Sequence, residues 1–498
     1  MRRDRRDRRN KRDLEIMDLE EDTRRTGKRR PHARNVEFAV VTYAFLLLFI
    51  SLCAYFVYFV SFQSEDFINH PSNARLSKLS DTVIRGNITT KDGVVVAKSE
   101  IKGEKEVRVY PKGRTYAHVV GYNSNGMAGV ELERNFQLLR SHSFFLTRIA
   151  NDLANKKSQG DTVVTTLDSK LQETAYNGIG SYQGAAVAID PDTGAILAMV
   201  SKPDFDPNTV ASSWKSLSSG DNSSSVLLNR ATQGLYPPGS TFKMVTALSY
   251  LQNGGKMSDT FSCSGALSNN GYTIHCYGGE VHGQQDLTQA FGNSCNVAFA
   301  TAGLSLEKGE LKETAERLLF NRELPTTLSN VKKSSFTLDG VEDKALVMQT
   351  SIGQGNTLVT PLHMAVIASA AANNGTVKTV HDIDHIENDN GNLVKSFDHK
   401  NSETIMTKEE AKRLRIMMRY VVTNGTGRRL NVSKYRAYGK TGTAEYSSNK
   451  RQSHSWFVGF AKKGKKKIAV AVVMEGAGSG SAYAVPLAGR MFDTYLGE

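Results

Sequence analysis

Ser240 and Lys243, in YPPGSTFKMV (236–245), stand three residues apart where a helical periodicity begins. A serine hydroxyl is a poor nucleophile near neutral pH unless a neighbour takes its proton, and a lysine amine does so when burial or a second cation lowers its pKa. Residues i and i+3 share one helix face, so this spacing brings hydroxyl and amine together. It also fits a plainer role, a serine capping a helix after Pro237-Pro238-Gly239. The spacing alone does not separate the two, because it recurs at Ser99/Lys102, Ser329/Lys332 and Ser447/Lys450.

Two other groups do. Ser294-Cys295-Asn296 follows on an expected helix or its entry turn, and Lys440-Thr441-Gly442-Thr443 follows on an expected strand. Ser-x-Asn is common, as Ser268-Asn269-Asn270 shows, but Lys-Thr-Gly occurs once. Ser-x-x-Lys, Ser-x-Asn and Lys-Thr-Gly in this order form the motif set of penicillin-binding proteins and serine β-lactamases. LNRATQGLYPPGSTFKMVTAL, GNSCNVAFA, SIGQGNTLVTPLHMA, YGKTGTAE and SHSWFVGFA resemble segments of class B penicillin-binding proteins, the monofunctional transpeptidases of bacterial cell-wall synthesis. Upstream, IRGNIT with DGVVVA, RVYPKGRTYAHVVGY, GVELERNF and GDTVVTTLDSKLQ are similar to the same family's pedestal and early transpeptidase segments. The resemblance runs from about residue 80 to 495, and its short pedestal is that of the compact Gram-positive subgroup.

The resemblance implies a two-step acyl transfer. Ser240 attacks the carbonyl between the terminal D-alanines of a peptidoglycan stem peptide, Lys243 acts as base, D-alanine leaves, and a second stem peptide's amine resolves the acyl-enzyme into a cross-link. Ser294 relays a proton toward the leaving amine and Lys440 tunes that relay. Asn296 holds the substrate amide and Lys243, while Thr441, Gly442 and Thr443 line the carboxylate subsite. The amides of Ser240 and Thr443 form the oxyanion hole. β-Lactams inhibit by acylating Ser240. No cofactor or metal is expected, and the expected protein partner is a polytopic glycosyltransferase of the shape, elongation, division and sporulation family. The competing enzymatic reading is a D,D-carboxypeptidase or β-lactamase, which passes the acyl group to water. The competing non-catalytic reading is a β-lactam sensor or wall-machinery scaffold.

The elements that must position these residues follow from patterning. Val163–Leu167 reads as a strand, Asp168 as a helix cap and Lys170–Ile179 as a helix, while GAAVAIDPDTGAILAMVS is a hairpin turning at Asp190-Pro191-Asp192-Thr193-Gly194. Phe242, Val245, Leu248 and Leu251 predict a helix ended by Asn253-Gly254-Gly255, and further helices are expected at 287–303, 310–319, 361–373 and 408–422. Strands return at 435–446, 455–461 and 467–474, before a closing helix at 486–496. The serine-rich 212–225 reads as a loop. Strands from both ends of the segment around a helical middle predict an α+β domain with an antiparallel sheet flanked by helices.

Ahead of that domain, 63–160 carries short β-prone runs broken by glycine, with helix near 130–149, and reads as a small β-rich pedestal. The uncharged run 38–62 is long enough to cross a bilayer, and residues 1–34 hold 14 Lys/Arg against 8 Asp/Glu. The reading is therefore a basic cytoplasmic tail (1–37), a transmembrane helix (38–62), the pedestal (63–160) and an extracytoplasmic catalytic domain (161–498). The topology signal accounts for the basic head, and no nucleic-acid partner is expected.

Cys263, Cys276 and Cys295 fall on the expected outer side, where disulfides persist. Cys295, the middle residue of the second motif, is open to three readings. It is a small buried side chain, it pairs with Cys276 as a redox element, or it is left over from a Cys263–Cys276 bridge. A zinc set of Cys263, His275, Cys276 and His282 matches no standard finger spacing.

Overall fold

The computed structural model describes residues 36–59, 79–103, 105–154, 156–219, 225–338, 343–445 and 453–497. The basic head to residue 35, residues 60–62 of the apolar run and Ser447/Lys450 lie outside the described residues. The chain divides into two units, residues 1–68 and 69–498. In the first, α1 (Val36–Tyr58) is one continuous helix with Phe38, Leu47 and Phe56 all exposed. Its 22-residue stretch Glu37–Tyr58 is long and apolar enough to cross a bilayer.

In the second unit, β1 (Ile88–Thr89), β2 (Val95–Lys102) and β3 (Lys105–Val109) form an antiparallel ribbon extended by β4 (Thr162–Thr165), which runs parallel to β1. Beneath the ribbon lies a buried ion network. Glu131 accepts from Arg85 Nε at 2.6 Å and from Arg108 Nε at 2.7 Å, and Arg85 Nη2 reaches the Glu131 carbonyl at 2.7 Å. Burial pulls the Arg85 pKa down, and Glu131 counters it. The charges sit in the quoted IRGNIT, RVYP and GVELERNF segments, so the polar residues there serve packing geometry.

After β4 come α2 (Ser169–Ile179), capped by Asp168 accepting from Leu171 N, and the hairpin β5 (Gly184–Ile189) and β6 (Ile196–Lys202). The serine-rich stretch departs from expectation, because α3 (Val210–Ser218) covers its first half. Val210 is buried, and Trp214 and Leu217 pack with Phe205 and Tyr122. One apolar side chain per turn supplies the burial that overrides a composition suited to loops. Residues 220–224 lie outside the described residues.

Helix α4 (Lys243–Gln252) is followed by β7 (Thr260–Cys263), β8 (Tyr272–His275) and β9 (Gly283–Asp286), with β7 and β9 paired antiparallel. The helix expected at 287–303 is two helices, α5 (Leu287–Asn293) and α6 (Asn296–Leu304), broken at Ser294. Helix α7 (Pro361–Ala372) is capped by Thr360 and almost wholly buried. Strands β10 (Ile383–Glu387) and β11 (Leu393–Ser396) then return to the N-terminal ribbon, where β10 pairs with β4. That six-stranded sheet runs β11-β10-β4-β1-β2-β3 and draws on residues as far apart as Ile88 and Ser396.

Helix α8 (Lys408–Thr423) leads into β12 (Arg436–Glu445), β13 (Ser453–Lys463) and β14 (Lys466–Met474), and α9 (Ala484–Leu496) closes the chain. The central sheet is antiparallel in the order β12-β13-β14-β5-β6, and one row of facing residues, Thr443, Ser455, Met474, Gly184 and Lys202, crosses all five strands. Alternation along β14 divides the core. Ala469, Ala471 and Val473 join the cluster that includes α7, while Ile468, Val470 and Val472 join the one with α2 and α9. A strand buried on both faces must be apolar throughout, which is how Lys467–Met474 reads after its first residue. Strand β12 stays at the edge.

Candidate active site

Pro238 leads into a 3-10 turn, Gly239–Phe242, that runs directly into α4. Gly239 has φ +52°, and a Cβ there would lie 2.9 Å from the Thr443 carbonyl and the Ala444 Cβ. Glycine alone lets the turn lie against β12. On the strand side, a Cβ at Gly442 would meet the Trp456 Cβ at 2.9 Å and the Thr241 Cγ2 at 3.0 Å. Trp456, fully buried on β13, donates from Nε1 to the Pro237 carbonyl at 3.1 Å. The Pro-Pro-Gly of the sequence and the Gly of Lys-Thr-Gly therefore form one close contact between the Ser240 turn and the edge strand.

Ser240 caps neither helix, since no side-chain cap hydrogen bond closes the turn or α4. Its hydroxyl is half-buried and has no hydrogen bond among the described residues. One turn on, Lys243 is fully buried and its Nζ donates to the Ser294 carbonyl (2.6 Å) and Asn296 Oδ1 (2.6 Å), with Ser294 Oγ at 3.4 Å. Lys440 Nζ, also fully buried, donates to the other side of Ser294 Oγ at 2.8 Å. The Ser294 hydroxyl thus bridges two lysine amines.

Ser294 holds this place because it takes the left-handed conformation (φ +59°, ψ 35°) between α5 and α6. A non-glycine residue in that region marks a constraint imposed by its surroundings. Asn296, first residue of α6, donates its Nδ2 to the His275 carbonyl at 2.8 Å, which orients its oxygen toward Lys243. Burial drives both amines toward the neutral form. Lys243 is lowered to about 8, with Cys295 and Cys276 partly opposing the shift, and Lys440 lies well below the lysine range through burial and then the Lys243 charge.

On β12, Thr441 is buried with its hydroxyl 2.6 Å from that of Thr426, while Thr443 is half-buried nearer the strand's end. The Gln354 amide, with its oxygen and nitrogen placed to satisfy both bonds, pairs with the main chain of Glu445 at 3.1 and 3.2 Å. Glu445 therefore turns its N–H and C=O outward from the sheet, and by the two-residue period so does Thr443. An extended peptide laid along this edge meets outward main-chain groups beside Ser240. Gln354, Thr426 and His275 were not singled out by the motifs. Gln354 lies in the quoted SIGQGN, whereas the other two act through geometry that the sequence does not display.

The cysteines converge behind the second motif. Cys276 Sγ lies 3.6 Å from Cys263 Sγ and 3.7 Å from Cys295 Sγ, and Cys263 Sγ lies 3.4 Å from His282 Nδ1. All three are free thiols, so neither expected bridge is present. The candidate metal set also changes. His275 is exposed and outside the cluster, and Cys295 takes its place, so the four groups are Cys263, Cys276, His282 and Cys295. Strand alternation accounts for this: Ile274 points inward on β8, which turns His275 out.

Residues 184–493 match the family described as penicillin binding protein transpeptidase domain, and residues 85–163 match the penicillin binding protein A dimerisation domain. The chain is 29% identical over 482 residues to the peptidoglycan D,D-transpeptidase PbpA of Mycolicibacterium smegmatis, covering 91% of this chain and 97% of that one. Among solved structures, PBPA from Mycobacterium tuberculosis superposes with a TM-score of 0.75 at 28% identity, covering 83% of this chain and 99% of that one. The penicillin G acyl-enzyme complex of penicillin-binding protein A from M. tuberculosis superposes at 0.73 and 27% identity, with coverage of 83% and 99%.

Proposed function

The chain belongs to the penicillin-binding protein transpeptidase family and is a peptidoglycan D,D-transpeptidase, and from that premise we propose which of its residues carry the reaction. Ser240 is the nucleophile and Lys243 the base that takes its proton. The stem peptide lies along the edge of β12, its terminal carboxylate on Thr441 and Thr443, with Gly442 leaving room for it. The Ser240 and Thr443 amides face the carbonyl oxygen as it becomes an oxyanion. Ser294 passes a proton to the departing D-alanine amine and is recharged by Lys243, which gives up the proton it took from Ser240, while Lys440 holds the Ser294 hydroxyl from its other side. The incoming amine of a second stem peptide then reverses the path, losing its proton to the same relay.

The observation that carries this assignment is the Ser294 hydroxyl between Lys440 Nζ and Lys243 Nζ, with Lys243 fixed by Asn296. Hydrolytic release has less support. Glu310, at the start of the helix that held the nearest glutamates in sequence, spends its carboxylate on the Glu307 N–H at 2.8 Å.

The finer topology belongs to the same reading. The basic head stays in the cytoplasm, 38–62 spans the membrane, and 63–160 forms a pedestal for the extracytoplasmic domain at 161–498. A polytopic glycosyltransferase of the shape, elongation, division and sporulation family is the partner expected at the span and pedestal. Mass spectrometry of the chain after fluorescent penicillin tests the assignment. A stable adduct on the peptide bearing Ser240, absent in Ser240→Ala, is expected, whereas an adduct on another serine or release within seconds refutes it.

A further inference from the structure

We propose that Cys263, Cys276, His282 and Cys295 form a zinc site that locks the Ser294-Cys295-Asn296 turn in place. The four groups come from separate elements: the end of β7, the residue after β8, the loop before β9 and the entry of α6. Their ligand atoms all lie within 4.8 Å of one another. Zn–S bonds of about 2.3 Å and Zn–N bonds of about 2.0–2.1 Å at tetrahedral angles require edges of about 3.8 Å between sulfurs and about 3.5 Å from sulfur to nitrogen. The S···S separations of 3.6 and 3.7 Å and the S···N separation of 3.4 Å lie close to those edges. Cys276 is nearly equidistant from two thiols, which suits a shared central cation. A disulfide would join one pair and leave a buried thiol and an imidazole unused.

Three soft sulfurs and one imidazole, four protein ligands that leave no position for an exogenous one, are the donor set of a structural zinc site. The sulfurs are buried, and the buried Nε2 of His282 makes no hydrogen bond among the described residues, although the Glu280 carboxylate lies 3.4 Å from it. Binding converts three S–H groups to Zn–S bonds, adds one Zn–N bond and releases three protons to solvent, leaving a centre of net charge −1.

The site's position gives it a role. Cys295 lies between Ser294 and Asn296, and Cys276 follows His275, whose carbonyl holds the Asn296 amide. A metal bound to both cysteines ties together the two segments that this hydrogen bond joins, and it holds Ser294 in its left-handed conformation.

The full chain, purified in detergent under reducing conditions without chelator, is expected to carry one zinc per chain by elemental mass spectrometry. Cobalt exchanged for it should give the absorption bands of a tetrahedral thiolate centre. Cys263→Ser and His282→Ala should lose the metal, and His275→Ala should keep it. Stripping the zinc under reducing conditions should slow acylation by fluorescent penicillin roughly tenfold or more, reversed by zinc chloride. That last arm alone rests on the Ser240 reading. Protein that stays metal-free after zinc loading, or a disulfide within the set in the loaded protein, overturns the site. Zinc that can be removed and restored without changing acylation overturns its role. Should Cys263→Ser fail to fold, the cobalt spectrum of the unmodified chain decides.

Discussion

Replacing Asn296 by Asp puts a carboxylate where an amide oxygen now accepts from Lys243 Nζ at 2.6 Å. In the native chain burial holds that amine at about 8. At pH 7 about 9% of it is then the free base, against about 0.04% for an ordinary lysine, a gain of about 200-fold or about 3 kcal/mol. Because the free amine is the reactive form, acylation should rise about fifty-fold between pH 6 and 8 and level off above about 9. An opposite charge in hydrogen-bond contact favours the ammonium by about 1–3 pKa units. In Asn296→Asp the inflection should therefore move to about 9–11. Acylation should fall about 10- to 1000-fold at pH 7 and largely recover near pH 10–11. The assay is the second-order rate constant for fluorescent penicillin across that range, with circular dichroism at each pH as a check on folding. An unmoved inflection, or an equal loss at every pH, would refute Lys243 as the base.

Two further substitutions test the scaffold. Glu131→Ala leaves Arg85 and Arg108 without their shared carboxylate; at about 3–5 kcal/mol for an uncompensated buried charge, the melting temperature should drop by several degrees, read by differential scanning fluorimetry. Gly442→Ala forces a methyl into the 2.9 Å approach to Trp456 and should destabilise by about 1–3 kcal/mol while slowing penicillin acylation at least about tenfold. A normal rate in that variant would show that the turn and the edge strand do not need their close contact.

Local features of this chain were legible in its sequence because their causes are local. The apolar run, the Asp168 cap, the hairpin at 190–194 and the strand of Lys-Thr-Gly each follow from a few neighbouring residues, and each is present. The motif order pointed to a convergence on the Ser240 hydroxyl; Lys243, Ser294, Asn296 and Lys440 are hydrogen-bonded to one another, while that hydroxyl takes no hydrogen bond among the described residues. What stayed hidden depends on distant partners. Strands β10 and β11 complete a sheet begun at Ile88, and nothing in Ile383–Glu387 names that neighbour. The break at Ser294 divides the helix expected at 287–303 because two lysines and the His275 carbonyl hold the turn from distant parts of the chain. Cys295 takes the place of His275 in the thiol cluster because the alternation of β8 turns His275 outward, which the spacing of the cysteines does not display.

The strand that arrives from Ile383–Glu387 also sets a timetable for synthesis. At about 5–20 residues per second, Thr162–Thr165 waits about 11–44 s after its own synthesis before the ribosome reaches β10. Through that interval β4 has one flank unpaired, a strand edge open to any other extended chain nearby. A nascent chain halted before Ile383, or a fragment cut to residues 85–166, would carry that open edge permanently. Clumping of such a fragment, relieved by adding the 383–396 peptide, would be the mark of a sheet whose halves are made at different times.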